Sequence, residues 1–234
     1  MNPFPSWDEC ANMKLAFFPI GSTEQHGTHL PIHTDTIIAA IVAQRLAERF
    51  APAYVVPALP YSASFEHSGF PGSVSLRVTT ITAVMQDVIH SLEQSGISRC
   101  VIVNGHGGNA LLHNIAQELN AHGHRVMLAP KRLHWERAYQ QAGISVSLSQ
   151  DMHAGEAETS ILMHLFADGV VKTDKLIDVD TPRRPLLEVV GMKAFTPTGT
   201  IGFPSRATSA KGKALLDALV REISHSVEEF MSLG

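Results

Sequence analysis

The chain has 234 residues, 44% hydrophobic and 17% charged, with a net charge of -4. This is the balance of an ordinary globular protein with room for one sizeable core. It argues against a nucleic-acid or anionic-membrane partner, and no apolar run approaches the roughly 20 residues that span a bilayer.

The first residues, Met1 to Asp8, have neither the basic region nor the apolar core of a signal peptide. Leu15 to Ile20 is a strand-like run. Gly21 to Thr36 follows and crowds Glu24, His26, His29, His33 and Asp35 into one loop. Carboxylate oxygens and neutral imidazole nitrogens are ligands for zinc, manganese or iron. If Glu24 and His26 stay extended, their two-residue spacing puts both on one face. Asp35 closes the loop from its far end or, in the plainer reading, only caps the next helix. His29 and His33 are read as structural, because a metal needs three or four protein groups.

Ile37, Ile38, Ile41, Val42, Leu46 and Phe50 recur at helical spacing. Tyr54 to Val56 is a short β-branched run stopped by Pro57 and Pro60. Ser62 to Ser73 is a long polar loop, a type that is usually functional; with Tyr61, its Glu66 and His67 are candidate substrate-binding residues. Val74 to Leu76 reads as a small strand, and Thr79 to Ser95 as a helix stopped by Gly96. Arg99 to Val103 is a buried strand in which Cys100 is a small hydrophobe. With Cys10 far away in sequence, no disulfide framework is implied, and the cytoplasm is the default compartment.

Asn104-Gly105-His106-Gly107-Gly108-Asn109 then leads into a helix from Ala110 to His122. Glycines there let the backbone approach a metal or substrate closely; Gly107 is a candidate substrate contact. The same loop also suits a phosphate cradle at a helix start or a plain tight turn. Arg125 to Ala129 is the next strand, and helices are expected over Leu133–Ala142 and Gly155–Phe166. Residues 170–205 read as irregular. A closing amphipathic helix runs over Ser209–Met231, capped by Thr208 or Ser209. Alternating strands and helices imply one α/β domain over residues 1–234, a three-layer α/β/α sandwich on a mostly parallel sheet.

In the Gly155–Phe166 helix, ~100° per residue puts Glu158 on the stripe of Ile161, Leu162 and Leu165, and Glu156 nearly opposite. A carboxylate on an apolar stripe is expensive unless paired or metal-bound. Glu158 is therefore the candidate ligand, and Glu156 is expected to be solvated or to compensate the helix dipole. Glu24, Asp35 and Glu158 carry three negative charges, and His26 and His106 none. Two divalent ions and one bridging hydroxide would make such a cluster neutral. Thirteen histidines in 234 residues also favour metal or proton chemistry.

With these pieces in order, the chain resembles the creatininase (creatinine amidohydrolase) family. The matching segments are Gly21-Ser22-Thr23-Glu24-Gln25-His26-Gly27 with His29-Leu30-Pro31 and Thr34-Asp35, then Asn104 to Asn109, then His153-Ala154-Gly155 with Glu158-Thr159-Ser160. Phe70-Pro71-Gly72-Ser73 and Gly202-Phe203-Pro204 add to it. The resemblance implies a metal-dependent amidohydrolase that cleaves a C–N bond other than an ordinary peptide bond, in a small linear or cyclic amide. It implies two divalent ions per subunit, zinc first with manganese or iron as alternatives. Glu24 and His106 would hold one ion, His26 and Glu158 the other, and Asp35 would bridge. His153 would transfer the proton. A homo-oligomer, a hexamer or trimer of dimers, is also implied.

On this reading the ions, when bound, would lower the pKa of a water held by them toward ~7. The hydroxide attacks the amide, and His153 protonates the leaving nitrogen. Creatinine-cleaving members carry a Glu at the place of Gly108 and a Trp shortly before His153, and this chain has neither. The resemblance therefore indicates the reaction class more than the substrate. Alternatives are a peptidase trimming a ribosomal cofactor-precursor peptide (mycofactocin-type), a formamide deformylase, and a non-catalytic phosphate-binding module.

Overall fold

The structure is a computed structural model that describes residues 5–167 and 169–233; residues 1–4 of the stretch read against a signal peptide lie outside it. A short helix α1 (Trp7–Cys10) precedes β1 (Leu15–Ile20). Then come α2 (Thr34–Arg49), β2 (Tyr54–Val55), α3 (Val78–Gln94), β3 (Arg99–Asn104) and α4 (Leu111–Ala121). β4 (Val126–Ala129), α5 (Arg132–Gln141) and α6 (Glu156–Leu165) follow. After the one-turn α7 (Leu187–Val190), α8 (Ser209–Ser232) closes the chain.

The strands form a parallel sheet in the order β2-β1-β3-β4, with Ala16 opposite Tyr54 and Cys100, and Cys100 opposite Val126. All six residues of β1 are buried, as expected of a parallel strand covered on both faces. Alternation along the strands builds two cores. Leu15, Phe17, Val101 and Val103 pack with α2, α5, α6 and α8. Ala16, Phe18, Ile20, Cys100 and Ile102 pack with α3 and α4 on the other face. The expected three-layer α/β/α sandwich is observed. Thr208 caps α8 as read from the sequence, its side chain accepting from the Lys211 N–H.

Three expectations change in detail. Asp35 is not a cap; it lies within the first turn of α2, whose capping position is His33. Residues 74–76 make isolated bridges, Thr23 with Val74 and Ser62 with Ser75, rather than a strand. Residues 170–205 are mostly irregular but contain α7 and short 3-10 turns. Among the described residues, no helix is long and apolar enough to cross a membrane.

The strand order switches between β1 and β3, and the helices that follow them, α2 and α4, cover opposite faces. That arrangement opens a crevice at the strand carboxyl ends, the usual ligand position in such sheets. Here α2 presses on the sheet edge. A Cβ at Gly21 would collide with the Thr36 backbone, and one at Gly105 with the Asp35 carbonyl oxygen. Both glycines are needed for close approach rather than for a turn. Gly105→Ala is expected to cost about 1–3 kcal/mol by overpacking, read as a lower urea midpoint with unchanged slope.

Candidate metal centre

The loop leaving β1 brings Glu24 and His26 to the crevice, and the loop leaving β3 brings His106. Asp35 enters from the first turn of α2, and Glu158 from the first turn of α6. Glu24, His26, Asp35 and His106 are each no more than 4% exposed. Asp35 lies between the two imidazoles. Its Oδ1 is 2.9 Å from His26 Nε2, and its Oδ2 is 3.1 Å from His106 Nδ1. Ser22 Oγ donates to Oδ2 as well, at 2.8 Å. His106 Nδ1 is also 3.2 Å from Glu24 Oε1, and His26 Nε2 is 3.9 Å from Glu158 Oε2.

Three sets of donor atoms lie within 4.8 Å of one another: Glu24/Asp35/His106, His26/Asp35/Glu158 and Glu24/His26/His153. Both Glu24 carboxylate oxygens are buried without a hydrogen-bond partner. A buried carboxylate in that condition is costly, and a cation among these sets would satisfy it. The donor chemistry, imidazole nitrogen and carboxylate oxygen, fits zinc or manganese. His106 keeps its outer nitrogen for the protein: Nε2 meets the Ala63 carbonyl at 3.1 Å and lies 3.5 Å from Glu66 Oε1. Such outer partners set the tautomer of a ligand histidine.

Electrostatics follow the crowding of acids. Burial opposes the imidazolium of His26, but Asp35, then Glu158 and Glu24, outweigh it and carry its pKa up to about 10. His106 is likewise held well above the usual range, burial being overcome by Glu24 and Asp35. Asp35 stays well below the carboxylate range because His26 and His106 outweigh its burial. Burial pushes Glu158 up to about 7 against the pull of His26. His153 goes the other way: burial, His26 and His67 depress it well below the usual value.

His153 sits where residues 153 and 201 exchange backbone hydrogen bonds. Its Nε2 donates to the Gln25 carbonyl at 2.6 Å, leaving Nδ1 toward the centre, 3.7 Å from Glu24 Oε1. Asp151, to which the sequence analysis assigned no role, anchors this corner. Its buried carboxylate accepts from the Glu156 and Ala157 N–H groups at the start of α6, from Phe203 N–H and from Tyr139 Oη. An Asp just ahead of a helix start was the available signal. Ala154, at φ 51°, turns the chain so that its N–H donates to Glu158 Oε2 at 2.6 Å.

Glu156 lies in the first turn of α6, where its charge compensates the helix dipole, but it is not solvated. It is 2% exposed and pairs with Lys211 Nζ at 2.5 Å, because α8 packs over that side of α6. His29 is buried away from the acids, with Nε2 on Thr159 Oγ1 at 3.0 Å, and burial and His26 bring it down to about 4. His33 meets Thr23 Oγ1 at the rim. Of the candidate substrate contacts, His67 is 3% exposed with Nε2 3.2 Å from Glu24 Oε1. Glu66 lines a cleft of about 600 Å³ together with Phe65, Gly69, Gly108, Val189 and Val190. A Cβ at Gly108 would run into the Glu66 carboxylate and the His106 ring. Tyr61 is exposed and does not line this cleft, and Gly107 has open space where a side chain would stand.

Parallel α/β topology with acids and imidazoles gathered at a strand-order switch defines an α/β protein with a candidate multi-ligand metal centre. The chain belongs to the creatininase family: the family model, described as creatinine amidohydrolase, matches residues 5–227. It is a creatininase-family amidohydrolase, a hydrolase of amide C–N bonds. It is 36% identical over 229 residues to the mycofactocin precursor peptide peptidase of Mycolicibacterium smegmatis, covering 92% of this chain and 85% of that one. It is 31% identical over 233 residues to the creatinine amidohydrolase of Pseudomonas putida, covering 92% and 89%. Among solved structures, a manganese creatininase superposes with a TM-score of 0.81 at 26% identity, covering 96% of each chain. A mutant creatininase of Zn-Zn type gives 0.79 at 27%, covering 96% and 95%.

The protein groups alone keep protons on His26 and His106, and a divalent cation competes for the same nitrogens. Metal binding should therefore release protons, and affinity should fall as pH falls from 8 to 6. Titration calorimetry with zinc in buffers of different ionisation enthalpy measures both.

Proposed function

We propose that this protein hydrolyses an amide C–N bond at a centre of two divalent cations. Glu24 and His106 would hold one, His26 and Glu158 the other, and Asp35 would lie between. The observation that carries the reading is Asp35, whose two oxygens address His26 and His106 separately. When bound, such ions supply Lewis acidity, polarising the amide carbonyl and acidifying water. His153 offers Nδ1 to the proton of the attacking water and delivers that proton to the departing nitrogen, which is a poor leaving group as an anion.

The cleft beside Glu66 favours a second reading of the substrate. Its volume of about 600 Å³ suits a drug-sized ligand and exceeds what a single small ring fills. Phe65, Val189 and Val190 line it and are exposed. A peptide or peptide-like amide with an apolar side chain suits it better than creatinine, in line with the similarity to the mycofactocin precursor peptide peptidase. We take the chain as one domain on its alternating strands and helices, place it in the cytoplasm because no disulfide framework is implied, and take it as a homo-oligomer on the family resemblance.

Chelation should abolish hydrolysis of a panel of small amides and short peptides, and zinc or manganese should restore it. Full activity with no metal bound defeats the mechanism. His153→Ala should lower kcat by about 10²–10⁴ with both metal equivalents retained, whereas Glu158→Ala should lose one equivalent by elemental analysis.

A further inference from the structure

Gln25 stands between two candidate ligands and is 6% exposed. The orientation of its amide is set by two groups that admit one choice each. Its Oε1 accepts from the Gly27 N–H at 2.9 Å, and its Nε2 donates to the Gly199 carbonyl at 3.1 Å. Gly199 is at φ 89°, and a Cβ there would collide with the Gln25 amide. The second hydrogen on Nε2 points to His67 Nδ1, 2.9 Å away. An amide nitrogen only donates, so His67 Nδ1 must accept and its proton must sit on Nε2. That Nε2 lies 3.2 Å from Glu24 Oε1, yet Glu24 has no hydrogen-bond partner; the N–H is directed past it.

The same residue sets the other imidazole through its main chain. A carbonyl only accepts, so His153 Nε2 carries the proton it gives to the Gln25 oxygen. His153 Nδ1 then faces the centre as a lone pair. The two rings are 4.5 Å apart. Both are protonated on Nε2, but they turn opposite ends toward the crevice.

Resting on the amide hydrolysis proposed above, we infer that Gln25 is a positioning residue that presents His67 as a hydrogen-bond donor and His153 as a proton acceptor to the same substrate amide. As water oxygen bonds to the amide carbon, one water proton passes to His153 Nδ1 and the C=O electron pair moves onto oxygen. The His67 N–H stabilises that oxygen. The oxyanion pair then re-forms C=O as the C–N bond breaks, the C–N electron pair staying on nitrogen, which takes the proton back from His153. Acid and amine are the products, and His67 keeps its proton throughout.

The test uses the zinc-loaded full chain labelled with 15N-histidine. Long-range 15N–1H spectra should show His67 and His153 both protonated on Nε2, assigned by their loss in His67→Asn and His153→Ala. In Gln25→Glu, a carboxylate oxygen opposite Nδ1 should draw the His67 proton there, while His153, held by the main chain, stays unchanged. His67→Gln keeps an N–H close to the Nε2 position and His67→Asn does not. The Gln variant should retain several-fold more kcat than the Asn variant, whose kcat should fall about 10²-fold. Both should keep the full zinc content and a KM close to wild type.

A wild-type His67 protonated on Nδ1 overturns the inference, as does His67→Asn with unchanged kcat. Zinc loss in step with the activity loss also overturns it, since His67 would then only support the cluster. Because the wild-type spectrum decides the proton positions alone, a Gln25→Glu chain that fails to fold leaves the test standing. Expected tautomers in a zinc-loaded protein that hydrolyses no amide would overturn the proposed function itself.

Discussion

The structure depends on one buried carboxylate held between two imidazoles. Asp35 reaches His26 and His106 because the first turn of α2 lies directly on the ends of β1 and β3. That approach exists only where no Cβ intervenes, at Gly21 against Thr36 and at Gly105 against Asp35. Placing Glu24, Asp35 and Glu158 together runs against the cost of burying like charges. The protein groups offset it by drawing protons onto His26 and His106, and cations would offset it more fully. A stability-optimised core would not carry this arrangement, so its presence marks function.

The rest of the scaffold keeps the distant third segment in register with the first two. His153 and Glu158 belong to a chain segment more than a hundred residues beyond Glu24. They are placed by backbone pairing of His153 with Ile201 and by the Asp151 carboxylate, which gathers the start of α6 and the 203 region. The Glu156–Lys211 pair joins α6 to α8 on the far side. Glu158 itself is held by the Ala154 N–H, which donates to its Oε2. A different pair of segments, the Phe65–His67 turn and α7, borders the cleft beside Glu66 with apolar side chains. Glu66 occupies the space a side chain at 108 would need, so that loop and the glycine loop after β3 are shaped to each other.

Periodicity and spacing alone determined much of this protein. Alternating strand and helix patterns gave the parallel three-layer sandwich, because a strand buried on both faces and an amphipathic helix leave distinct marks in sequence. Crowded acids and histidines near residues 24–35, and the apolar stripe carrying Glu158, point to the candidate centre whose side chains the structure brings together. The burial of Glu156 is not legible locally, because its neutralising partner, Lys211, lies 55 residues away on a helix whose packing no local pattern reports. Asp151 and Gln25 were passed over for the same reason: their partners are backbone groups of remote loops, Phe203 and Gly199. Which carboxylate oxygen meets which imidazole, and which ring nitrogen carries its proton, only the tertiary structure decided. Those are matters of a few tenths of an ångström between segments that meet only once the sheet has formed.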